Sequence, residues 1–148
     1  MSKISIRELS SDETELAAAW PIMSQLRPAL TAETFVAQVR VQMRDEGFRL
    51  VAGLDEHDVV RALAGFRVET MLHRGRSMYV DDLVTDVNTR SHGFGAALFD
   101  WLVAEARRLD CQELHLDSGV QRFDAHRFYL RQRMAITAHH FMLKLDVV

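Results

Sequence analysis

The segment Arg90-Ser91-His92-Gly93-Phe94-Gly95-Ala96 decides the fold of this chain. It lies between a strand-like run ending at Leu83-Val84 and a long run whose apolar residues recur at helical spacing. A strand that enters a glycine-containing turn and then a helix directs several backbone N–H groups, and the positive helix end, at one point. The two glycines let a ligand approach the backbone closely. The segment therefore predicts a phosphate or pyrophosphate site, to which Arg90 can donate charge-assisted hydrogen bonds.

Outward from this segment, periodicity predicts helices and strands in one α/β domain over residues 1–148. A first strand is expected from Lys3 to Leu9, hairpin-linked strands between residues 48 and 87, a strand near 113–117, and one or two closing strands from Met134 to Val147. The expected helices run from about Asp12 to Gln25, Thr31 to Gly47, Gly93 to Asp110 and Phe123 to Gln132.

Composition limits the functions open to the chain. A net charge of -3 and a pI near 6.1 do not favour a nucleic-acid-binding surface. No apolar run reaches the roughly 18 residues that a membrane span needs, and the N-terminus has no signal-peptide character. Cys111 is the only cysteine, so no intrachain disulfide can form. We therefore expect a cytoplasmic protein that binds neither nucleic acid nor membrane.

Two motifs resemble those of a known family. The pattern Arg90-x-x-Gly93-x-Gly95 between strand and helix resembles the acyl-CoA pyrophosphate loop of the GNAT superfamily of N-acyltransferases. Ala125-His126-Arg127-Phe128-Tyr129 resembles the Ala-x-x-Phe-Tyr segment of the fourth GNAT helix. The resemblance implies a GNAT-type α/β fold, with a mixed, largely antiparallel central sheet of about 6–7 strands flanked by about four helices.

The resemblance also implies the donor and its site. The co-substrate would be acetyl-CoA, with its pyrophosphate on the backbone amides from Ser91 through Ala96. The pantetheine arm would pair with the backbone of Val84 and Thr85, and one of these amides would polarise the thioester carbonyl. The seven histidines show no metal-ligand spacing, so no metal is expected. The residues that the resemblance assigns to the donor are Val84, Thr85, Arg90, Ser91, His92, Gly93, Phe94, Gly95 and Ala96.

Candidate catalytic residues follow from the same comparison. Tyr129 matches the tyrosine that acts as general acid near the cofactor sulfur. Asp82 matches a position that carries an acid in some GNAT enzymes acting on aminoglycosides or small amines, where it could attract an ammonium group and help deprotonate it. Asp81, Asp117 and Glu69 are further candidates for the base. Adjacent strand residues face opposite sides unless a bulge intervenes, so Asp81 and Asp82 are not expected to enter the same cleft.

The chain departs from the family pattern after the fourth helix. Arg133 stands where the family has a glycine that lets the helix turn sharply, so a differently built, longer turn is expected. By analogy the acceptor would lie near the first two helices and the closing hairpin. The apolar side chains of the first part of that region are Trp20, Met23, Leu26, Leu30 and Phe35.

Three functions remain open from the sequence. The leading hypothesis is an N-acetyltransferase that moves an acetyl group to a primary amine of a small molecule or peptide, by direct attack in a ternary complex. The second is a catalytically weak acyl-CoA-binding or regulatory module of the same fold. The third, a dinucleotide-binding oxidoreductase, is disfavoured because the first strand is not followed by a full GxGxxG. Small domains of this type often dimerise through their C-terminal strands, which is compatible with a homodimer here.

Overall fold

The computed structural model describes residues 3–146, which form four α-helices, one short 3-10 helix and a five-stranded sheet. The strands are β1 (Ser5–Leu9), β2 (Arg49–Leu54), β3 (Val60–Met71), β4 (Gly75–Thr85) and β5 (Glu113–Leu116). The helices are α1 (Glu13–Leu26), α2 (Ala32–Asp45), α3 (Phe94–Arg108) and α4 (Phe123–Arg131), and the 3-10 turn is Val87–Thr89.

The sheet follows chain order, β1-β2-β3-β4-β5, and its first three neighbouring pairs are antiparallel. The α/β fold with a largely antiparallel sheet and four helices is therefore confirmed. The strand number differs, because residues 134–146 form no strand, and Val147 lies outside the described residues. A strand exists only where a neighbouring strand completes its hydrogen bonds, and apolar side chains in this segment stay in solvent, with Phe141 91% exposed.

The chain divides into two units, Met1–His115 and Leu116–Val148. In the first unit α1 and α2 pack together over an apolar cluster that includes fully buried Leu16, Leu50 and Leu63. Both helices begin at side-chain caps: Asp12 accepts from the Glu15 N–H, and Thr31 forms a reciprocal capping box with Thr34. These caps fix the start of each helix, and hence the position of the α1–α2 connection.

In the second unit, α4 ends in a turn that glycine usually makes. Arg133 has φ +66°, its N–H donates to the Leu130 carbonyl at 3.0 Å, and the Met134 N–H donates to the Tyr129 carbonyl at 3.1 Å. These two bonds form a Schellman motif. The prediction of a longer turn was thus wrong, because Arg133 itself adopts the left-handed conformation that glycine usually has at this position.

None of the helices in residues 3–146 has both the length and the apolar character needed to cross a membrane.

Candidate active site

The turn between β4 and α3 presents unbonded backbone N–H groups. Gly93, at φ +91°, is the N-cap residue of α3, and no side chain caps the helix. The first intrahelical bond runs from the Ala97 N–H to the Gly93 carbonyl at 3.0 Å. The N–H groups of Phe94, Gly95 and Ala96 therefore precede the ladder and point out of the helix end, where an anion can accept from them.

The preceding residues complete this turn. Ser91 also has a positive φ, +69°, and the side chains of Arg90 and His92 are exposed. The His92 N–H donates to the Thr89 carbonyl at 3.2 Å. The Arg90 side chain is therefore exposed to solvent, whereas the His92 N–H is already used in a hydrogen bond within the turn.

A buried aspartate, which the sequence analysis missed, anchors the entry to this turn. The Asp86 carboxylate accepts from Gln25 Nε2 and Arg61 Nη1, both at 3.1 Å, and from the Asn88 N–H at 3.2 Å. Burial alone would raise the pKa of Asp86, but hydrogen bonds from Gln25, Asn88 and Arg61 outweigh it and lower the pKa. The bond to the amide two residues ahead is an Asx turn, a local signal that the sequence does contain.

Val84 and Thr85 are the last residues of β4, paired with Leu63 and Ala62 of β3. The Val84 side chain is buried in the apolar cluster, so a ligand at this strand end would meet its main chain.

A β-bulge in the middle of β4 changes where the two neighbouring aspartates point. Gly65 pairs with Asp82, whereas Phe66 pairs with Val80, so Asp81 is the extra residue of the bulged strand. Both carboxylate residues consequently line one cavity. The expectation that Asp81 and Asp82 would not share a cleft was wrong, since the alternation on which it relied is interrupted at this point.

That cavity has a volume of about 590 Å³, within the usual range for small-molecule sites. Its wall comes from the end of α1, the α1–α2 connection, α2 and β4. Four of the five apolar residues expected near the acceptor line it, whereas Trp20 packs against Phe35 instead. The lining residues are Met23, Leu26, Arg27, Pro28, Ala29, Leu30, Phe35, Gln38, Val39, Gln42, Phe48, Tyr79, Asp81 and Asp82.

Each of the two aspartates has an arginine partner. Arg27 Nε lies 2.9 Å from Asp82 Oδ1, and Arg67 binds Asp81 through two bonds of 2.6 and 3.1 Å. Burial raises the pKa of the Asp82 carboxyl, and the hydrogen bond and charge of Arg27 act in the opposite direction without cancelling it. Asp82 is therefore a stronger base than an exposed aspartate. Neither arginine was foreseen, because each partner lies far from its aspartate in sequence.

The other candidate bases lie elsewhere. Glu69 pairs with Ser77 at the far end of the β3–β4 ladder and is not among the residues lining the cavity. Asp117 belongs to the second unit, where its Oδ1 lies 3.7 Å from His140 Nδ1.

Tyr129 lies on α4 in the second unit and is half-buried. Burial raises the pKa of its phenol, against the opposing charge and hydrogen bond of Arg122. The hydroxyl therefore keeps its proton at neutral pH, as a general acid must.

Within residues 3–146, no three His, Cys, Asp or Glu side chains come together in a group that could hold a metal ion.

Comparison of the sequence with models of protein families identifies the family of this chain. The model of the acetyltransferase (GNAT) family matches residues 6–133. This chain belongs to the GNAT family. A Bacillus subtilis (strain 168) protein named uncharacterized N-acetyltransferase YhdJ is 36% identical over 144 residues, covering 97% of this chain and 99% of that protein. The chain is accordingly a GNAT acyltransferase.

Solved structures of GNAT proteins have the same fold. Aminoglycoside N-acetyltransferase AAC(6')-Iy, in complex with CoA, is similar with a TM-score of 0.84 at 12% identity, over 99% of this chain and 97% of that one. Glucosamine-6-phosphate N-acetyltransferase from Arabidopsis thaliana gives 0.76 at 18% identity, over 97% and 99% of the two chains. At these identities the similarity establishes the fold of this chain, and it does not identify the acceptor of this chain.

Proposed function

We propose that this GNAT protein transfers an acetyl group from acetyl-CoA to a primary amine of a small molecule or peptide, by direct attack in a ternary complex. The whole chain would be one acyltransferase domain that works in a reducing compartment such as the cytoplasm, which suits its single cysteine. The observation that carries it is the uncapped start of α3 behind a left-handed Gly93, which leaves three amides for an anion.

The donor would be held mainly by backbone. The amides of Ser91 and of residues 93–96 are proposed to bind the pyrophosphate, with Arg90 adding a charge-assisted hydrogen bond. The His92 amide, which the resemblance also assigns to this set, donates instead to the Thr89 carbonyl. The main chain of Val84 and Thr85 would pair with the pantetheine arm and direct an amide at the thioester carbonyl. The absence of a side-chain cap on α3 supports this role, because such a cap would compete with the anion for the same N–H groups.

The acceptor would occupy the cavity beside Asp82. An amine arrives as an ammonium ion and must lose a proton before its nitrogen can attack. Asp82 supports this step because burial raises the pKa of its carboxyl, which narrows the gap to the pKa of the ammonium. We propose that Asp82 binds the ammonium and accepts its first proton, directly or through one water.

Tyr129 is proposed to complete the transfer. The amine nitrogen forms a bond to the acetyl carbon, the carbon–sulfur bond breaks, and Tyr129 donates its proton to the departing thiolate. The nitrogen loses two protons overall. Asp82 passes the first proton to solvent, and the second restores the proton that Tyr129 gave to the thiolate of CoA.

Thiol release against a panel of primary amines, beside calorimetric titration with acetyl-CoA, tests this function. Asp82→Asn and Tyr129→Phe should each lower kcat by about 100-fold or more, while acetyl-CoA binding is retained. Asp45→Asn is the control, because Asp45 is exposed and pairs only with its neighbour Arg44. Donor binding without turnover of any amine would instead support the acyl-CoA-binding module.

A homodimer is proposed through the C-terminal segment 136–145. Across residues 116–146 no residue is buried, and this segment holds large apolar side chains that a second copy would cover. Light scattering should then give twice the 17.0 kDa of one chain, and a monomer at micromolar concentration would refute the proposal. The side chains concerned, with their exposures, are Ile136 79%, Phe141 91%, Met142 70%, Leu143 83% and Leu145 80%.

A further inference from the structure

An ion pair is built into the wall of the acceptor cavity. Arg27 Nη2 lies 2.8 Å from Asp82 Oδ1 and donates to the Asp81 carbonyl at 3.0 Å. Arg27 is the C-cap residue of α1, at the edge of the connection to α2. The Asp82 carboxylate, the proposed base, is thus already paired with the Arg27 guanidinium. An incoming ammonium group must bind Asp82 beside Arg27 or displace Arg27 from it.

The two members of this pair differ in their access to water. The Arg27 side chain is 46% exposed and the Asp82 side chain only 15%. Arg27 can therefore turn outward at small cost, whereas a partly buried carboxylate that loses its cation is left uncompensated. Whatever moves Arg27 from Asp82 must itself bring a positive group to the carboxylate.

The charges around the cavity are balanced. Arg27, Asp81 and Asp82 are the charged members of its lining, and Arg67 holds Asp81 from β3 at 2.6 Å. A purely cationic ligand would leave this group of four with an excess positive charge beside Arg27. A ligand that carries one positive and one negative group can pair with both Asp82 and Arg27. Two ion pairs then replace the single Arg27–Asp82 pair, and no excess charge is left in the cavity. The planar guanidinium is suited to receive a carboxylate in a bidentate pair.

We propose, on the basis of the acetyl-transfer function above, that the acceptor is an amino acid with an apolar side chain, bound as a zwitterion. Its ammonium group binds Asp82 and its carboxylate binds Arg27. Its side chain packs on the apolar part of the cavity wall, formed by Leu26, Leu30 and Phe35. Arg27 is therefore a specificity-determining residue, which selects acceptors that carry a carboxylate next to the amine.

Three ligands with the same apolar group test this inference: leucine, leucinamide and 3-methylbutylamine. Their binding to the full chain is measured by NMR titration, which does not depend on turnover. The protein should bind leucine at least about tenfold more tightly than leucinamide. Arg27→Gln should remove that preference by weakening leucine binding about tenfold, whereas leucinamide should bind equally or more tightly because the cation that competes for Asp82 is gone. Arg27→Lys should restore part of the preference, and Arg40→Gln, an exposed α2 residue paired with Glu13, should leave it unchanged.

Equal binding of leucine and leucinamide by the unaltered protein would overturn the inference. So would an equal loss of all three ligands in Arg27→Gln. Thiol release with the same three amines is measured in parallel. If no amine is turned over, the acetyl-transfer function fails, while the titrations still decide whether the cavity selects the zwitterion.

Discussion

Gly65 on β3 pairs with the proposed base, Asp82, on β4. A Cβ at this position would lie 2.4 Å from Phe48 Cζ and 2.7 Å from Asp82 Oδ2. Both neighbours line the cavity proposed for the acceptor, and Phe48 is part of the buried cluster. The absence of a side chain at Gly65 therefore leaves room for both the ring and the carboxylate against this part of β3.

Replacement of Gly65 by alanine should displace one or both of these groups. We expect Gly65→Ala to lower the free energy of unfolding by about 1–3 kcal/mol and to raise KM for the amine more than KM for acetyl-CoA. Gly53→Ala is the matched control, because its nearest neighbour, the Ala62 Cβ, is 3.4 Å away. Chemical denaturation and two-substrate kinetics measure both effects. An unchanged amine KM in Gly65→Ala would show that Asp82 does not need its present position.

The sequence predicts single residues well where the signal is local. Gly93 follows from its place before a helix, and the structure gives it the positive φ that only glycine adopts easily. Arg27 was not predicted as part of the cavity, because its partner Asp82 is 55 residues away and only the packing of α1 against β4 brings them together. The bulge at Asp81 arises from the pairing of β4 with β3. The alternation of apolar and polar residues within β4 alone therefore does not predict it.

Among the helices, α4 has a strained C-terminal turn. Arg133 adopts φ +66°, a region that costs a residue with a Cβ roughly 1–2 kcal/mol relative to glycine. Arg133→Gly should therefore raise the free energy of unfolding by about 1 kcal/mol, after allowance for the greater freedom of glycine in the unfolded chain. Thermal denaturation followed by circular dichroism measures the change.

The control for this prediction uses the same substitution two residues earlier. Arg131 is the last residue of α4, and a glycine there should destabilise the helix by up to about 1 kcal/mol. Opposite signs for Arg133→Gly and Arg131→Gly would locate the effect in the left-handed turn. A loss of stability in both would contradict it.

At this scale the order of helices and strands could be predicted, because periodicity and caps are properties of each segment alone. The closing strands could not. Residues 134–146 carry apolar residues typical of strands, yet a strand requires a partner, and periodicity does not say which segment supplies it.

Across the first unit, one charged network joins two strands to a helix. Arg49 on β2 donates to Glu8 on β1 and to Glu105 on α3, and Arg108 also donates to Glu105. The Glu105 side chain is 8% exposed. The hydrogen bonds from Arg108, and then those from Arg49, lower the pKa of Glu105 to about 2 despite its burial. The ionised carboxylate thus favours the folded state over the unfolded one.

This network makes the stability of the whole molecule depend on pH. The pKa of Glu105 is about 2 in the folded state against 4.5 for the ordinary group, so its ionised form stabilises the fold above pH 4.5, and this contribution is lost as the pH falls toward 2. At pH 7 Glu105→Gln should therefore lower the free energy of unfolding by about 3 kcal/mol. Urea denaturation of both proteins between pH 7 and pH 3 should show this difference shrinking below pH 4.5. The control is Glu13→Gln, because the Glu13 side chain is 72% exposed beside Arg40. This substitution should change the free energy of unfolding by less than about 1 kcal/mol at every pH. A difference for Glu105→Gln that stays constant down to pH 3 would mean that packing, and not the charge on Glu105, holds α3 to the sheet.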